Sequence, residues 1–243
     1  MRDYQEEFEK RVAYIRRKVE EAHASGIVFG NSGGKDSALV GILCKAACPN
    51  TLGVIMPCAS SQNYGQDKDD GNALAEQFGI ETRTVDLTAV REAEMKALEG
   101  VAELSEMAVT NIAPRLRMTT LYTIAASENR LVAGTGNRSE IYMGYFTKWG
   151  DGASDFNPIA DLCAGEVFEF LRYLNAPLSI VSKAPSAGLY EGQTDEQEMG
   201  VSYAAIDSYI NGGEIAEKDK AVIDRYHSRS EHKRRPISTY AEP

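Results

Sequence analysis

Apolar residues recur at helical spacing through residues 4–24, where Phe8, Val12, Ile15 and Val19 stand among charged neighbours. That spacing predicts an amphipathic opening helix. The apolar run 26–29 then predicts a first strand, and 37–47 a helix. Residues 51–57 predict a second strand, 66–78 a polar-faced helix, 80–87 a third strand and 88–98 another helix. A long helix is expected over 111–129, with Ile112, Leu116, Leu121, Ile124 and Ala125 as its apolar positions, and a fourth strand over 130–134. Strands alternating with helices of this length imply parallel pairing. The expected fold is therefore α/β, a doubly wound, mostly parallel sheet flanked by helices. From Gly144 to about Tyr203 the chain is dense in turn residues and predicts long loops. Without repeats or a second boundary, residues 1–243 read as a single domain.

Composition narrows the classes. The 243 residues are 43% hydrophobic and 26% charged, enough for one large domain with a sizeable core. No run approaches ~20 apolar residues, so no membrane span is expected. The start, Met1-Arg2-Asp3-Tyr4-Gln5-Glu6-Glu7, is polar and lacks a secretory pattern, which makes the cytoplasm the expected location. Four cysteines in a chain this long do not suggest a disulfide framework. Cys44 and Cys48 share one helix face, a spacing that suits core filling better than metal binding. A net charge of −10 argues against nucleic acid, and the short cluster Lys233-Arg234-Arg235 does not reverse it. A small anionic substrate met by local positive charge fits better.

The candidate chemistry begins between the first strand and the next helix, where residues 30–37 read Gly-Asn-Ser-Gly-Gly-Lys-Asp-Ser. Small residues let backbone N–H groups approach an anion, and the helix start turns its positive end toward it. Asp36 adds a carboxylate, which makes sense if Mg²⁺ bridges it to the anion. The common P-loop pattern fails: its first glycine would fall on Phe29, and Asp36 follows Lys35 where Ser or Thr is needed. In a doubly wound sheet ligands lie beyond the strand carboxyl ends. Loops 30–36, 57–63 and 135–140 should therefore open toward one site.

Ser32-Gly33-Gly34-Lys35-Asp36-Ser37 resembles the phosphate loop of the ATP pyrophosphatases. Further motifs sharpen the likeness: Gly134-Thr135-Gly136-Asn137-Arg138-Ser139-Glu140, Gly144-Tyr145-Phe146-Thr147-Lys148-Trp149-Gly150-Asp151-Gly152, Asn157-Pro158-Ile159, and Pro185-Ser186-Ala187-Gly188-Leu189 through Gln193-Thr194-Asp195-Glu196. With Asn111-Ile112, Arg115 and His232-Lys233-Arg234, they resemble the ammonia-dependent NAD⁺ synthetases over about residues 10–236. The resemblance implies an adenine nucleotide alpha hydrolase-like fold. It also implies ATP-dependent amidation of deamido-NAD⁺ through an acyl adenylate, with release of pyrophosphate and AMP.

Carried over by position, the resemblance assigns ATP to Gly30, Asn31, Ser32, Gly33, Gly34, Lys35, Asp36, Ser37, Thr135 and Ser186. It assigns Mg²⁺ to Asp36 and Glu140, and deamido-NAD⁺ to Arg115, Lys148, Asp155, His232 and Lys233. Asp151, in a Gly-Asp-Gly turn, is a candidate proton acceptor from ammonium. Ala164 stands where the family usually carries a phosphate-reaching lysine, and Lys35 is the candidate replacement. A mobile lid is expected over 186–195, and a homodimer is implied. Glutamine use would need a further domain or an external glutaminase partner.

Plainer readings stay open beside these. Glu140 alone is a helix-start carboxylate, Lys148 and Asp155 alone a surface ion pair, His232 a solvated tail residue and Lys35 a solvent-facing loop lysine. Two other functions also stay open: another ATP pyrophosphatase, amidating or tRNA-thiolating, and a non-catalytic adenine-nucleotide-binding module. The acidic balance counts against tRNA, residues 134–152 against the remaining pyrophosphatases, and the paired carboxylates against a passive module.

Overall fold

The computed structural model describes residues 2–59, 64–183 and 194–240. Its strands β1 (Gly26–Gly30), β2 (Thr51–Ile55), β3 (Glu81–Thr84) and β4 (Arg130–Val132) pair in parallel in the order β3-β2-β1-β4. The chain winds outward from β1 to β3 and returns to the other side of β1 for β4. This reversal leaves a crevice at the carboxyl ends of β1 and β4, where a doubly wound sheet binds ligands. The expected α/β architecture is the one found.

Helices cover both faces, because β1 and β2 are buried on both sides and offer apolar residues to each. One face packs against α1 (Tyr4–Glu21) and α2 (Lys35–Ala47), with Ile15, Phe29, Leu39 and Leu43 fully buried. Each such side chain contributes roughly 1.5–3 kcal/mol by leaving water. After β2 the chain continues through α3 (Gln66–Phe78), β3, α4 (Thr88–Ala97) and α5 (Glu106–Thr110) to α6 (Ile112–Glu128). The other face gathers Val28, Leu52, Val54 and Val132 against Ala113 and Ala125 of α6. Asn129 ends α6 in the left-handed region at φ 50°, turning the chain into β4.

Expected and observed elements agree through residue 132 to within a few residues at their ends, except that the short helix α5 was not anticipated. The loop reading of 144–203 needs correction. Ala164–Tyr173 forms a helix, α8, preceded by α7 (Arg138–Met143). The α8 start is capped by Glu166, whose carboxylate accepts from the Cys163 amide at 2.8 Å. Val167, Phe170 and Leu171 are buried against the α1–α2 core. The short helices α9 (Leu178–Val181) and α10 (Asp195–Met199) follow, then α11 (Tyr203–Ile210), α12 (Glu217–Arg229) and α13 (Glu231–Arg234). Met143, Ala164, Tyr203, Ile206 and Ile223 form a separate apolar cluster that ties α7, α8, α11 and α12 together. The carboxyl-terminal helices are thereby brought back over the β4 exit. Just before α8, Arg11 clips α1 to the 158–161 turn through Pro158 O at 2.5 Å and Asp161 Oδ1 at 2.6 Å.

Candidate active site

The glycine-rich loop leaves β1 and enters α2 at the crevice. Gly33 takes φ +71°, and a Cβ on it would lie 2.1 Å from the Asp67 carbonyl oxygen of α3, so only glycine fits. Ser32 Oγ and Ser37 Oγ lie 3.0 Å apart, and the Gly34 amide donates to Ser32 Oγ at 3.3 Å. Gly34 caps α2 without a side-chain bond, so the amides of the first turn stay available to an anion. Asn31 fixes the loop from below: its amide donates to Val54 O, and Nδ2 donates to Gly71 O at 2.9 Å.

Opposite this loop, α7 begins at the end of β4. Asn137 and Glu140 form a reciprocal cap, with Glu140 N donating to Asn137 Oδ1 at 3.0 Å and Asn137 N donating to Glu140 Oε2 at 3.2 Å. The Asn137 amide group also donates to Asp36 Oδ1 at 3.0 Å. One asparagine thus joins two carboxylates that come from different strand ends. Burial, with the Asp36 charge behind it, pushes the Glu140 carboxyl well above its ordinary range.

Between the carboxylates lies the Lys35 ammonium, ion-paired to Asp36 and 3.7 Å from Glu140 Oε1. Burial opposes its charge, but Asp36 and Glu140 outweigh burial and hold its pKa up. Lys35 is 6% exposed, so the solvent-facing reading is excluded. Tyr203 closes the far side and donates to Asp195 Oδ2 at 3.0 Å.

Hard oxygens in a pair suit Mg²⁺, which keeps several waters and takes further ligands from substrate phosphates. Among the described residues no group of three or more histidine, cysteine or acidic side chains could hold a metal. Asp36 and Glu140 therefore fit an ion delivered with phosphates better than one in a closed protein cage.

A cavity of about 830 Å³ runs from the glycine-rich loop to the turn after α7. Nearly all the loop, Thr135, Glu140, Asp151 and Lys233 line it. A smaller recess of about 240 Å³ opens beside it and shares Thr135, Glu140, Asp151 and Lys233. Asp151 accepts from the Thr147 amide at 2.9 Å. Asp151 keeps an exposed edge toward the cavity, and the protein crowded around its carboxyl raises its pKa. Lys233, from α13, donates to Gly144 O at 2.7 Å and Phe146 O at 2.6 Å, and burial lowers its pKa.

The remaining sequence-selected cations gather outside the cavity wall. Arg115 of α6 reaches Lys148 O at 3.5 Å, and Lys148 Nζ donates to His232 O at 2.7 Å. Three segments far apart in sequence meet there. Asp155 stands apart from them, accepting from Val132 N at 2.7 Å and from the Tyr122 hydroxyl at 3.2 Å. The surface pair of Lys148 with Asp155 is therefore not formed. Ser186 and most of the expected lid, 186–195, lie outside the described residues.

Sequence reasoning passed over three residues at the site, two of them lining the cavity. Lys183 donates to Asp67 Oδ1 at 2.6 Å and Asp70 Oδ2 at 3.0 Å, at the edge of the glycine-rich loop. The two aspartates three apart on one helix face were a legible signal. Arg117, whose Nε donates to Met56 O at 3.0 Å, lines the same cavity, and burial lowers its pKa. A charge between Leu116 and Met118 in an apolar stripe was its mark. Asn137 sat inside a quoted motif, but only the fold reveals that it joins the carboxylates.

The NAD synthase family model matches residues 7–237. An NH(3)-dependent NAD(+) synthetase of Carboxydothermus hydrogenoformans is 47% identical over 236 residues, covering 96% of each protein. Among solved structures, an NMN synthetase from Francisella tularensis superposes with a TM-score of 0.94 at 39% identity, over 100% of both chains. The NH3-dependent NAD synthetase of Campylobacter jejuni gives 0.82 at 28% identity, over 98% of this chain and 99% of that one. With its glycine-rich loop facing a capped carboxylate across the sheet's switch point, the chain belongs to the NAD synthase family.

Proposed function

We propose that this chain is an ATP-dependent ligase that amidates deamido-NAD⁺ to NAD⁺ with ammonia. The pyridine carboxylate attacks the α-phosphorus of ATP, forming an acyl adenylate as the bond to pyrophosphate breaks. Ammonia then attacks the acyl carbon, and the C–O bond to AMP breaks. A free carboxylate is a poor acyl donor, so activation is the step that needs ATP. The observation that carries this reading is the approach of the glycine-rich loop and the Asp36–Glu140 pair to Asp151 and Lys233 around one cavity. Most of the catalysis is positioning and electrostatics.

In this reading the loop 30–37 and Thr135 bind the phosphates, with Ser186 as a further contact. Asp36 and Glu140 hold Mg²⁺, which when bound neutralises phosphate charge. Arg115, Lys148, Asp155, His232 and Lys233 orient deamido-NAD⁺. Asp151 takes the proton from ammonium, and its raised carboxyl is a better base for that purpose. A homodimer is the proposed assembly, supported by half-buried Leu116, Tyr122 and Ile124 on α6 and the exposed Met107 nearby. No helix among the described residues is long and apolar enough to cross a membrane, and a cytoplasmic location is the corresponding proposal. An external glutaminase is the proposed alternative source of ammonia.

The high likeness to the Francisella NMN synthetase favours a second reading, in which the amidated acid is nicotinate mononucleotide. Pyrophosphate release should be measured with ATP, Mg²⁺ and ammonium, offering deamido-NAD⁺, nicotinate mononucleotide, nicotinate or tRNA. The first reading expects the highest kcat/KM with deamido-NAD⁺, rates that rise with pH as ammonia is freed, and none with glutamine. A preference for the mononucleotide would establish the second reading, and ATP binding without pyrophosphate release would leave only a nucleotide-binding module.

A further inference from the structure

Lys35 occupies the position between the two carboxylates that the proposed function gives to a metal. Its ammonium is paired with Asp36, lies 3.7 Å from Glu140 Oε1, and is backed by the ring faces of Tyr203 at 5.4 Å and Phe168 at 5.8 Å. The cage satisfies it on both sides: carboxylates in front, aromatic faces behind. Without a cation, two half-buried carboxylates joined through Asn137 would repel each other in a poorly hydrated site. One lysine offsets one of the two negative charges. A divalent ion at the same place would offset both, but it could not share the place with the ammonium, because like charges at contact distance repel strongly.

The ammonium has somewhere else to go. Lys35 is the first residue of α2 and lines the cavity at the loop whose free amides face it. Phosphates bound there would attract it forward, off the carboxylates, on its flexible four-carbon stem.

We propose that Lys35 is a tethered place-holder cation: in the free protein it occupies the Asp36–Glu140 pair and keeps it closed to divalent metal. The metal then enters together with nucleotide phosphates, to which the ammonium transfers. Lys35 acts here as a positioning residue that sets when the metal binds. The inference rests on the reading of Asp36 and Glu140 as the metal pair, and it extends that reading to an order of events.

The test titrates Mn²⁺ alone into the full-length protein without nucleotide, following free Mn²⁺ by electron paramagnetic resonance. Wild type should bind weakly and Lys35→Arg should match it. Lys35→Met should bind about tenfold tighter or more, and Glu140→Gln added to it should abolish the gain. Mn²⁺ should also raise the melting temperature of Lys35→Met but not of wild type. Lys35→Gln, whose amide can donate to both carboxylates without charge, replaces Lys35→Met with the same expectations if that variant does not fold. A neutral variant that binds Mn²⁺ no tighter than wild type, or a gain that survives Glu140→Gln, would overturn the proposal. The underlying metal assignment is checked separately with Mn²⁺ and a non-hydrolysable ATP analogue on wild type and Glu140→Gln. Equal binding by those two would remove the metal pair itself, and the place-holder with it.

Discussion

The two ends of the cavity are built in opposite ways. At the phosphate end, eight consecutive residues running from the end of β1 into the first turn of α2 supply the loop, and one short capped helix supplies the facing carboxylate. At the other end, Lys148, His232 and Lys233 meet only because α12 and α13 fold back onto the turn after α7. The contact there is close: Gly144 takes φ +64°, and a Cβ on it would lie 2.0 Å from Ser230 Cβ. The first end is rigid by local chemistry, whereas the second depends on distant packing. Substitutions at the phosphate end should therefore damage chemistry with little effect on acid binding, and those at the far end should do the reverse.

Asp36→Asn and Glu140→Gln should give the largest effects, each lowering kcat by about 100- to 1,000-fold, the usual scale for losing one preorganised electrostatic partner. Steady-state kinetics with the acid substrate varied should leave its KM nearly unchanged. Activity near that of wild type at saturating Mg²⁺ would break the division of labour, and melting curves separate it from misfolding.

Gly33→Ala comes next. The left-handed backbone and the Asp67 carbonyl leave no room for a methyl group, so the variant should lose about 1–3 kcal/mol of stability by chemical denaturation. Its KM for ATP should rise while the acid KM holds.

Lys233→Ala should act at the far end. Two hydrogen bonds donated to backbone carbonyls and a cation in the shared cavity wall are lost together, and the expected cost is about tenfold in kcat/KM for the acid, or about 1.4 kcal/mol. The KM for ATP should move less than that for the acid. A rise confined to ATP would mean that Lys233 belongs functionally to the phosphate end.

The smallest effect belongs to His232→Ala. The His232 contribution to the Lys148 contact is its backbone carbonyl, which alanine keeps, so kcat/KM should change by less than about twofold. A larger loss would give the imidazole a direct role with the substrate.

This contrast also explains what was legible from sequence. The sheet, its helices and the loop 30–37 are written in local periodicity and contiguous small residues, and they emerged with nearly correct ends. Helix α8 did not, because Gly165 and the surrounding turn residues obscured a start capped by Cys163 and Glu166. Lys35 and Glu140 were individually legible, but their sharing of one position was not. That depends on β1 and β4 being neighbours and on Asn137 bonding Asp36, which no spacing encodes. Asp155 matched a ligand position by pattern, and the fold adds bonds to β4 and Tyr122 that the pattern did not show. Pattern alone could not distinguish a strand anchor from a surface charge.

The central claim is that both ends of the cavity act on one acyl adenylate. It is tested most directly by running the reaction with deamido-NAD⁺ carrying ¹⁸O at both oxygens of its pyridine carboxylate and analysing the products by mass spectrometry. Attack of that carboxylate on the α-phosphorus, followed by displacement by ammonia, predicts one labelled oxygen in each AMP and none in pyrophosphate. Label in pyrophosphate, or unlabelled AMP alongside labelled NAD⁺ turnover, would contradict the account.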